Sequence, residues 1–236
     1  MILHNDPSYK IYFGDSKDDC VKSDGQINKE YFEKKLQDLK LDNLIFLKQI
    51  HSNKGICIDS PSLLNKKLIL FEQEGDFIIT NQRNVGIGIL TADCLPVVFY
   101  DPVNHVVGVV HVGWKGAVTN IISNVIKKLK KCFNTDTSKI KIYFGPSARV
   151  CCYQISNEFI KNFDNCSFCE DIFLKKDGSL HLDLPKLVKN QLLDLGVPKG
   201  EINFDYNSCT ICDLRFHSYR RSNQDPGRQA TIVALK

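Results

Sequence analysis

A chain of 236 residues, 43% apolar and 25% charged, has an ordinary globular composition and enough length to bury a substantial core. Its 31 Lys and Arg against 27 Asp and Glu leave a net charge of only +4, with no basic patch interleaved with aromatics, which argues against nucleic acid as a partner. No apolar run approaches the roughly 18 residues of a membrane span, and the start, MILHNDPSYK, carries no export signal, so a cytoplasmic protein without a membrane partner is expected.

In chain order, residues 10–14 read as a short strand. Residues 27–39 carry apolar side chains at 27, 31, 32, 36 and 39, a helical stripe. The run NLIFLKQIH at 43–51 is a buried strand that delivers His51 to a sheet edge, residues 55–58 continue it, and 59–66 form a loop. Residues 76–80 and 85–90 are two more strands, and the second leads directly into TADCLPVVFYDPVNHVVGVVHVGWKG at 91–116. That stretch holds two β-branched runs, 96–100 and 105–111, around Asp-Pro-Val-Asn, a turn in which Pro presets φ and Asn tolerates a left-handed conformation. In such a hairpin the start of the first strand lies beside the end of the second, so Cys94 and His111 share one rim, with Trp114 beside them.

Residues 117–129 have the apolar period of one amphipathic helix packed back on the sheet, and 139–145 is another strand. Farther on come a short helix from Ser156, a hairpin of 172–174 with 179–182, a helix over 185–195 with Asp183 as N-cap and Gly196 after its end, and strands at 204–206 and 229–235. Strands in runs with helices inserted, and no repeats or linkers, indicate an α+β fold in one domain over 1–236.

Ten cysteines in a reducing compartment should be small buried hydrophobes or ligands rather than disulfides. Cys166–Cys169 and Cys209–Cys212 have C-x-x-C spacing and could together hold zinc. However, 39 residues separate the pairs, against roughly 15–20 in compact zinc ribbons, so core or surface thiols are the favoured reading. His51, Cys94 and His111 each follow an apolar run and stand where the chain leaves it. Two imidazoles and a thiolate suit Zn²⁺, with a fourth position left open as in catalytic sites. A thiolate beside an imidazole equally suits a thiol hydrolase with Cys94 as nucleophile and His111 as its base.

The motifs QIHSN (49–53), EGDFIITN (74–81), TADCLPV (91–97), HVGWKG (111–116), GPSARVCCYQI (145–155), SCT (208–210) and FHSYRR (216–221), then GR at 227–228, run in order through nearly the whole chain. They resemble those of the YfiH/YlmD-like family, known both as laccase-like multicopper polyphenol oxidoreductases and as purine nucleoside phosphorylases. The resemblance implies mixed β-sheets in a sandwich flanked by helices, and a zinc held by His51, Cys94 and His111. It implies phosphorolysis of adenosine, inosine, guanosine and methylthioadenosine, and deamination of adenosine, with purine nucleosides and phosphate as small-molecule partners. Copper binding and laccase chemistry are the family's alternative. A multicopper site consumes many imidazoles, and this chain has six histidines in all.

On this reading Lys115 and Arg220 neutralise phosphate, with Arg228 a weaker contributor, and Asp93 relays a proton or fixes a ligand imidazole. Tyr153 and Trp114 are available to stack on a base. The chain departs from the family in carrying Lys115 where Arg is usual, which keeps the charge but loses bidentate recognition. It also has Ala148-Arg149-Val150 in place of an Ile-Gly-Pro-type stretch.

Overall fold

The central apolar runs form an antiparallel hairpin in the computed structural model, Leu95–Asp101 against Val106–Val112, with Leu95 opposite Val112 and Pro96 opposite His111. Asp101 sets its turn: the carboxylate accepts the Val103 and Asn104 backbone N–H groups at 2.9 and 3.0 Å, an Asx turn that His105 completes with a left-handed φ of 50°. The structure describes residues 1–22, 25–164, 166, 168, 171–222 and 227–236.

The hairpin lies at the middle of a six-stranded mixed sheet, in the spatial order Ile202–Asn203, Lys141–Phe144, Leu95–Asp101, Val106–Val112, Phe77–Thr80 and Gly55–Ile58. A second mixed sheet runs Ile2–Asn5, Tyr9–Phe13, Gln229–Leu235, Val85–Thr91, Asn43–Lys48 and Leu68–Glu74. Period-two alternation assigns each strand's side chains to opposite faces. Ile11, Phe13, Ile87 and Val233 of one sheet meet Val98, Tyr100, Val107 and Val109 of the other in a shared core. The outer face of the second sheet packs Tyr12, Phe46 and Ile232 against Tyr31 and Phe32 of helix Lys29–Asp38. Leu95, Val97 and Phe99, on the outer face of the hairpin sheet, lie under helices Ile121–Phe133 and Leu184–Asp194. The result is the expected α+β fold, two mixed sheets in a sandwich with helices on both outer faces. No helix among the described residues is long and apolar enough to cross a membrane.

Helix Ile121–Phe133 buries Ile121, Ile122, Val125, Ile126 and Leu129 on one stripe, each contributing roughly 1.5–3 kcal/mol by removal from water. The single helix expected over 117–129 is in fact two, Trp114–Val118 and Ile121–Phe133. Asn120, at φ 60°, breaks them in a left-handed conformation, and the Thr119 hydroxyl ends the first by bonding back to the Lys115 carbonyl at 2.9 Å. The short first helix can therefore turn Trp114 and Lys115 toward the hairpin's rim.

Other departures are local. Leu68–Glu74 is a strand, pairing parallel with Asn43–Lys48 at the sheet edge. Gly55–Ile58 joins the hairpin sheet rather than extending the strand that precedes it. The strand expected at 204–206 lies earlier, at Ile202–Asn203. The helix from Ser156 is a 3-10 turn, Glu158–Phe163. Helix Leu184–Asp194 starts as expected, with the Asp183 carboxylate accepting the Lys186 N–H at 3.0 Å, and Gly196 follows its end at φ 87°.

Candidate active site

Three chain segments converge at one end of the sandwich. His51 follows strand Asn43–Lys48, Cys94 immediately precedes Leu95–Asp101, and His111 closes on the partner strand opposite Pro96. One ligand atom from each of His51, Cys94 and His111 lies within 4.8 Å of the other two. The Cys94 Sγ is 3.9 Å from His51 Nε2, and the two imidazoles meet edge-on with centroids 4.8 Å apart. Tetrahedral zinc with Zn–N near 2.0 Å and Zn–S near 2.3 Å needs an N···S separation of roughly 3.5 Å, so the three atoms fit one such ion with little adjustment. Gly113 makes the approach possible: a Cβ there would stand 3.1 Å from His51 Cδ2 and 3.2 Å from Cys94 Sγ.

The residue that organises the cluster is Asp76, which is fully buried. Its Oδ1 accepts the His51 N–H at 3.0 Å and lies 2.8 Å from His111 Nδ1; its Oδ2 accepts the Ser52 N–H and hydroxyl at 2.6 and 2.8 Å. Occupying Nδ1 leaves Nε2 of His111 as the free ligand atom, the usual carboxylate–histidine arrangement behind a metal ligand. The same carboxylate anchors the turn in which His51 sits at φ 57°, a left-handed backbone costing of order 1–3 kcal/mol for a non-glycine residue. Fixing an imidazole, the support expected of Asp93, is thus done by Asp76. In the motif EGDFIITN, Asp76 stands only as an acid just before an apolar strand, which assigns it no role.

Asp93 is instead a hub between loops. Its carboxylate accepts the Thr210 hydroxyl at 2.6 Å, the Ser218 hydroxyl at 3.0 Å and the Arg220 N–H at 2.7 Å, and its own φ is 85°. Arg220 is held further by donating to the Gln154 carbonyl at 2.7 Å and by lying 4.9 Å from the Tyr153 ring centroid. Trp114 packs edge-on against Phe159 at 5.0 Å, and the Lys115 ammonium lies 5.7 Å from its ring centroid.

All of His51, Asp93, Cys94, His111, Lys115, Arg220 and Arg228 line one cavity of about 720 Å³, together with Trp114 and Tyr153. That volume falls in the roughly 300–1,000 Å³ range of small-molecule sites. Three cations around a cluster of soft and borderline ligands suit an anionic co-substrate beside a metal.

The electrostatics of the Cys94–His111 pair follow from its contacts. Burial pushes the Cys94 thiol up, but the His111 charge and hydrogen bonds from both imidazoles outweigh it and bring it down to about 6. Burial likewise opposes the charge on His111, yet Cys94 and Asp76 raise it to about 9. Between those values the pair is a thiolate facing an imidazolium. A metal ion must displace the imidazolium proton, so binding should release about one proton near pH 7.5 and more as the pH falls and the ligands become protonated. Calorimetric titration of zinc in buffers of different ionisation enthalpy measures this number directly.

A family model described as multi-copper polyphenol oxidoreductase laccase matches residues 11–236. The chain is 31% identical over 237 residues to a purine nucleoside phosphorylase of Clostridium acetobutylicum, covering 98% of this chain and 94% of that protein. It is 30% identical over 205 residues to a protein of an unknown prokaryotic organism named adenosine deaminase RL5, covering 83% and 76%. Its fold matches the crystal structure of the Bacillus licheniformis protein YfiH with a TM-score of 0.82 at 23% identity, over 99% of both chains.

Proposed function

The chain belongs to the multi-copper polyphenol oxidoreductase laccase family, and from that membership we propose that it is a zinc-dependent purine nucleoside phosphorylase that also deaminates adenosine in the cytoplasm. One observation carries the reading: His51, Cys94 and His111, braced by Asp76, converge on a cavity whose rim holds Lys115, Arg220 and Arg228. The names of relatives that align over most of this chain supply the substrate class.

His51, Cys94 and His111 hold the zinc. Bound there, the ion would supply Lewis acidity for orienting phosphate or activating water. Asp76 keeps the Nδ1 face of His111 occupied, so the ring presents Nε2 inward. Lys115 and Arg220 neutralise the phosphate that attacks C1′ of the ribose as the glycosidic bond to the purine breaks, and Arg228 contributes at greater remove. Asp93 positions Arg220 through its backbone rather than touching substrate. Tyr153, whose hydroxyl burial helps push up to about 12, stays neutral and offers its ring to the base, as does Trp114.

Lys115→Ala tests the assignment of the phosphate subsite. Losing one charge-assisted contact of about 1.5–3 kcal/mol should raise the KM for phosphate roughly tenfold to hundredfold. Phosphate-independent conversion of adenosine to inosine should change little. Steady-state kinetics with phosphate as the varied substrate read both effects; an equal loss in the two reactions would remove Lys115 from the phosphate subsite.

The thiolate–imidazolium pair of Cys94 and His111 also favours a second reading, a thiol hydrolase with Cys94 as nucleophile. That reading leaves His51 only a secondary task, a long 3.9 Å contact with the Cys94 sulfur. Laccase chemistry finds less support, because His4, His105, His181 and His217 are absent from the residues lining the cavity.

A further inference from the structure

Behind the Tyr153 wall of the cavity, two backbone segments run side by side. The Ser147 N–H donates to the Ser208 carbonyl and the Thr210 N–H to the Ser147 carbonyl, each at 3.0 Å, pairing Ser147 with Cys209 in a parallel bridge. Arg149 adds a guanidinium hydrogen bond to the Asn207 carbonyl at 3.1 Å. This pairing brings the adjacent Cys151 and Cys152 against the C-x-x-C turn of Cys209 and Cys212, and the four sulfurs lie within 4.8 Å of one another. None of the four lines the cavity.

Simple packing does not explain them. Cys151 and Cys212 are exposed and Cys152 is half-buried, so they are not serving as small core hydrophobes. Four thiols gathered this closely at the surface are a ligand set, since cysteine binds metal through sulfur.

We infer that Cys151, Cys152, Cys209 and Cys212 form a closed four-thiolate centre for one zinc ion, distinct from the cavity, that staples the segment around Ser147–Tyr153 to the segment around Asn207–Asp213. Four thiolates at Zn–S bonds near 2.3 Å sit roughly 3.8 Å apart, a spacing these sulfurs reach by small side-chain rotations. A shell of four protein ligands has no open position and is structural. Thiolates select soft or borderline ions, and sulfurs this close surround a single ion rather than several irons. The staple has a stake in the cavity: one segment carries Tyr153 into its wall, and the other carries Thr210, whose hydroxyl bonds Asp93 at 2.6 Å. The partner of the Cys209–Cys212 pair is therefore Cys151–Cys152. Cys166 packs against the helix-side core, and Cys169 lies outside the described residues.

The test is metal analysis of protein purified under reductant without added metal. Wild type should carry about two zinc ions per chain, and a His51→Ala/Cys94→Ser/His111→Ala variant should keep about one. Titrating that variant with an organomercurial should release its zinc as four thiols are consumed, and cobalt in its place should show the intense charge-transfer band of an all-thiolate site. Cys151→Ser/Cys212→Ser should lower the zinc content by about one ion and lower the Tm; if it does not fold, the triple variant and the wild type still decide. A triple variant free of zinc, whether its four cysteines are then free, disulfide-bonded or holding iron, overturns the proposal. Failure of the cavity zinc alone would show differently, as equal zinc in wild type and triple variant.

Discussion

His51→Ala is expected to abolish turnover as completely as Cys94→Ser, each lowering kcat/KM by about a thousandfold or more. A Lewis acid at the reacting centre is worth several kcal/mol, and each 1.36 kcal/mol is about tenfold in rate. The three ligands act as a unit, so losing either one forfeits nearly the whole effect. The two readings of the Cys94–His111 pair part company at His51. A thiol nucleophile with His111 as base would die on Cys94→Ser but lose only part of its activity without His51, whose contact with the Cys94 sulfur is long at 3.9 Å. Kinetics of the two variants, each checked for folding by circular dichroism, separate the readings; near-normal turnover by His51→Ala would rule out the metal site and leave the nucleophile.

Asp76→Asn should be the most destabilising conservative change near the site. Its buried carboxylate receives the His51 and Ser52 N–H groups, the Ser52 hydroxyl and the His111 ring. An amide keeps one acceptor oxygen and turns an NH₂ toward existing donors, a cost of about 2–4 kcal/mol. For a chain of this size that corresponds to a Tm lower by roughly 5–15 °C. Zinc affinity at the cavity should fall about 10–100-fold, because His111 loses its orienting partner. The pH dependence has a definite sign. Burial alone would raise the Asp76 pKa, but the hydrogen bonds from His111 and Ser52 outweigh it and hold it below the ordinary value. A folded pKa below the unfolded value of about 3.9 means this stabilisation is fully present above roughly pH 4 and is lost as pH falls through the folded pKa. The wild-type stability advantage over Asp76→Asn should accordingly shrink below pH 4, as thermal melts across an acid series would show. Equal melting curves at neutral pH would mean that Asp76 does not brace the site.

Much of this site is legible in the sequence because antiparallel geometry is local. Once Asp-Pro-Val-Asn is read as a turn, Cys94 and His111 must meet at one rim, and the register with Pro96 opposite His111 leaves them offset by only two residues. The apolar stripe of Ile121–Phe133 is equally plain. Its break from Trp114–Val118 is not, since the apolar period passes smoothly through Asn120 and only the backbone reveals the left-handed residue. Asp76 escapes notice because its partner His111 lies 35 residues away and nothing local distinguishes it from a strand-end acid. Leu68–Glu74 escapes because it is a partly exposed edge strand without clean alternation. The four-cysteine cluster depends on a single parallel bridge between Ser147 and Cys209, a tertiary contact that no spacing rule encodes.

The most direct measurement is a product analysis. Zinc-loaded protein is incubated with adenosine, with and without inorganic phosphate, beside a chelated sample and a chelated sample restored with zinc. Adenine and ribose 1-phosphate should appear only with phosphate and inosine without it, and both reactions should stop on chelation and return with zinc. Undiminished products from the chelated protein, or no purine product from the zinc-loaded one, would contradict the zinc phosphorylase.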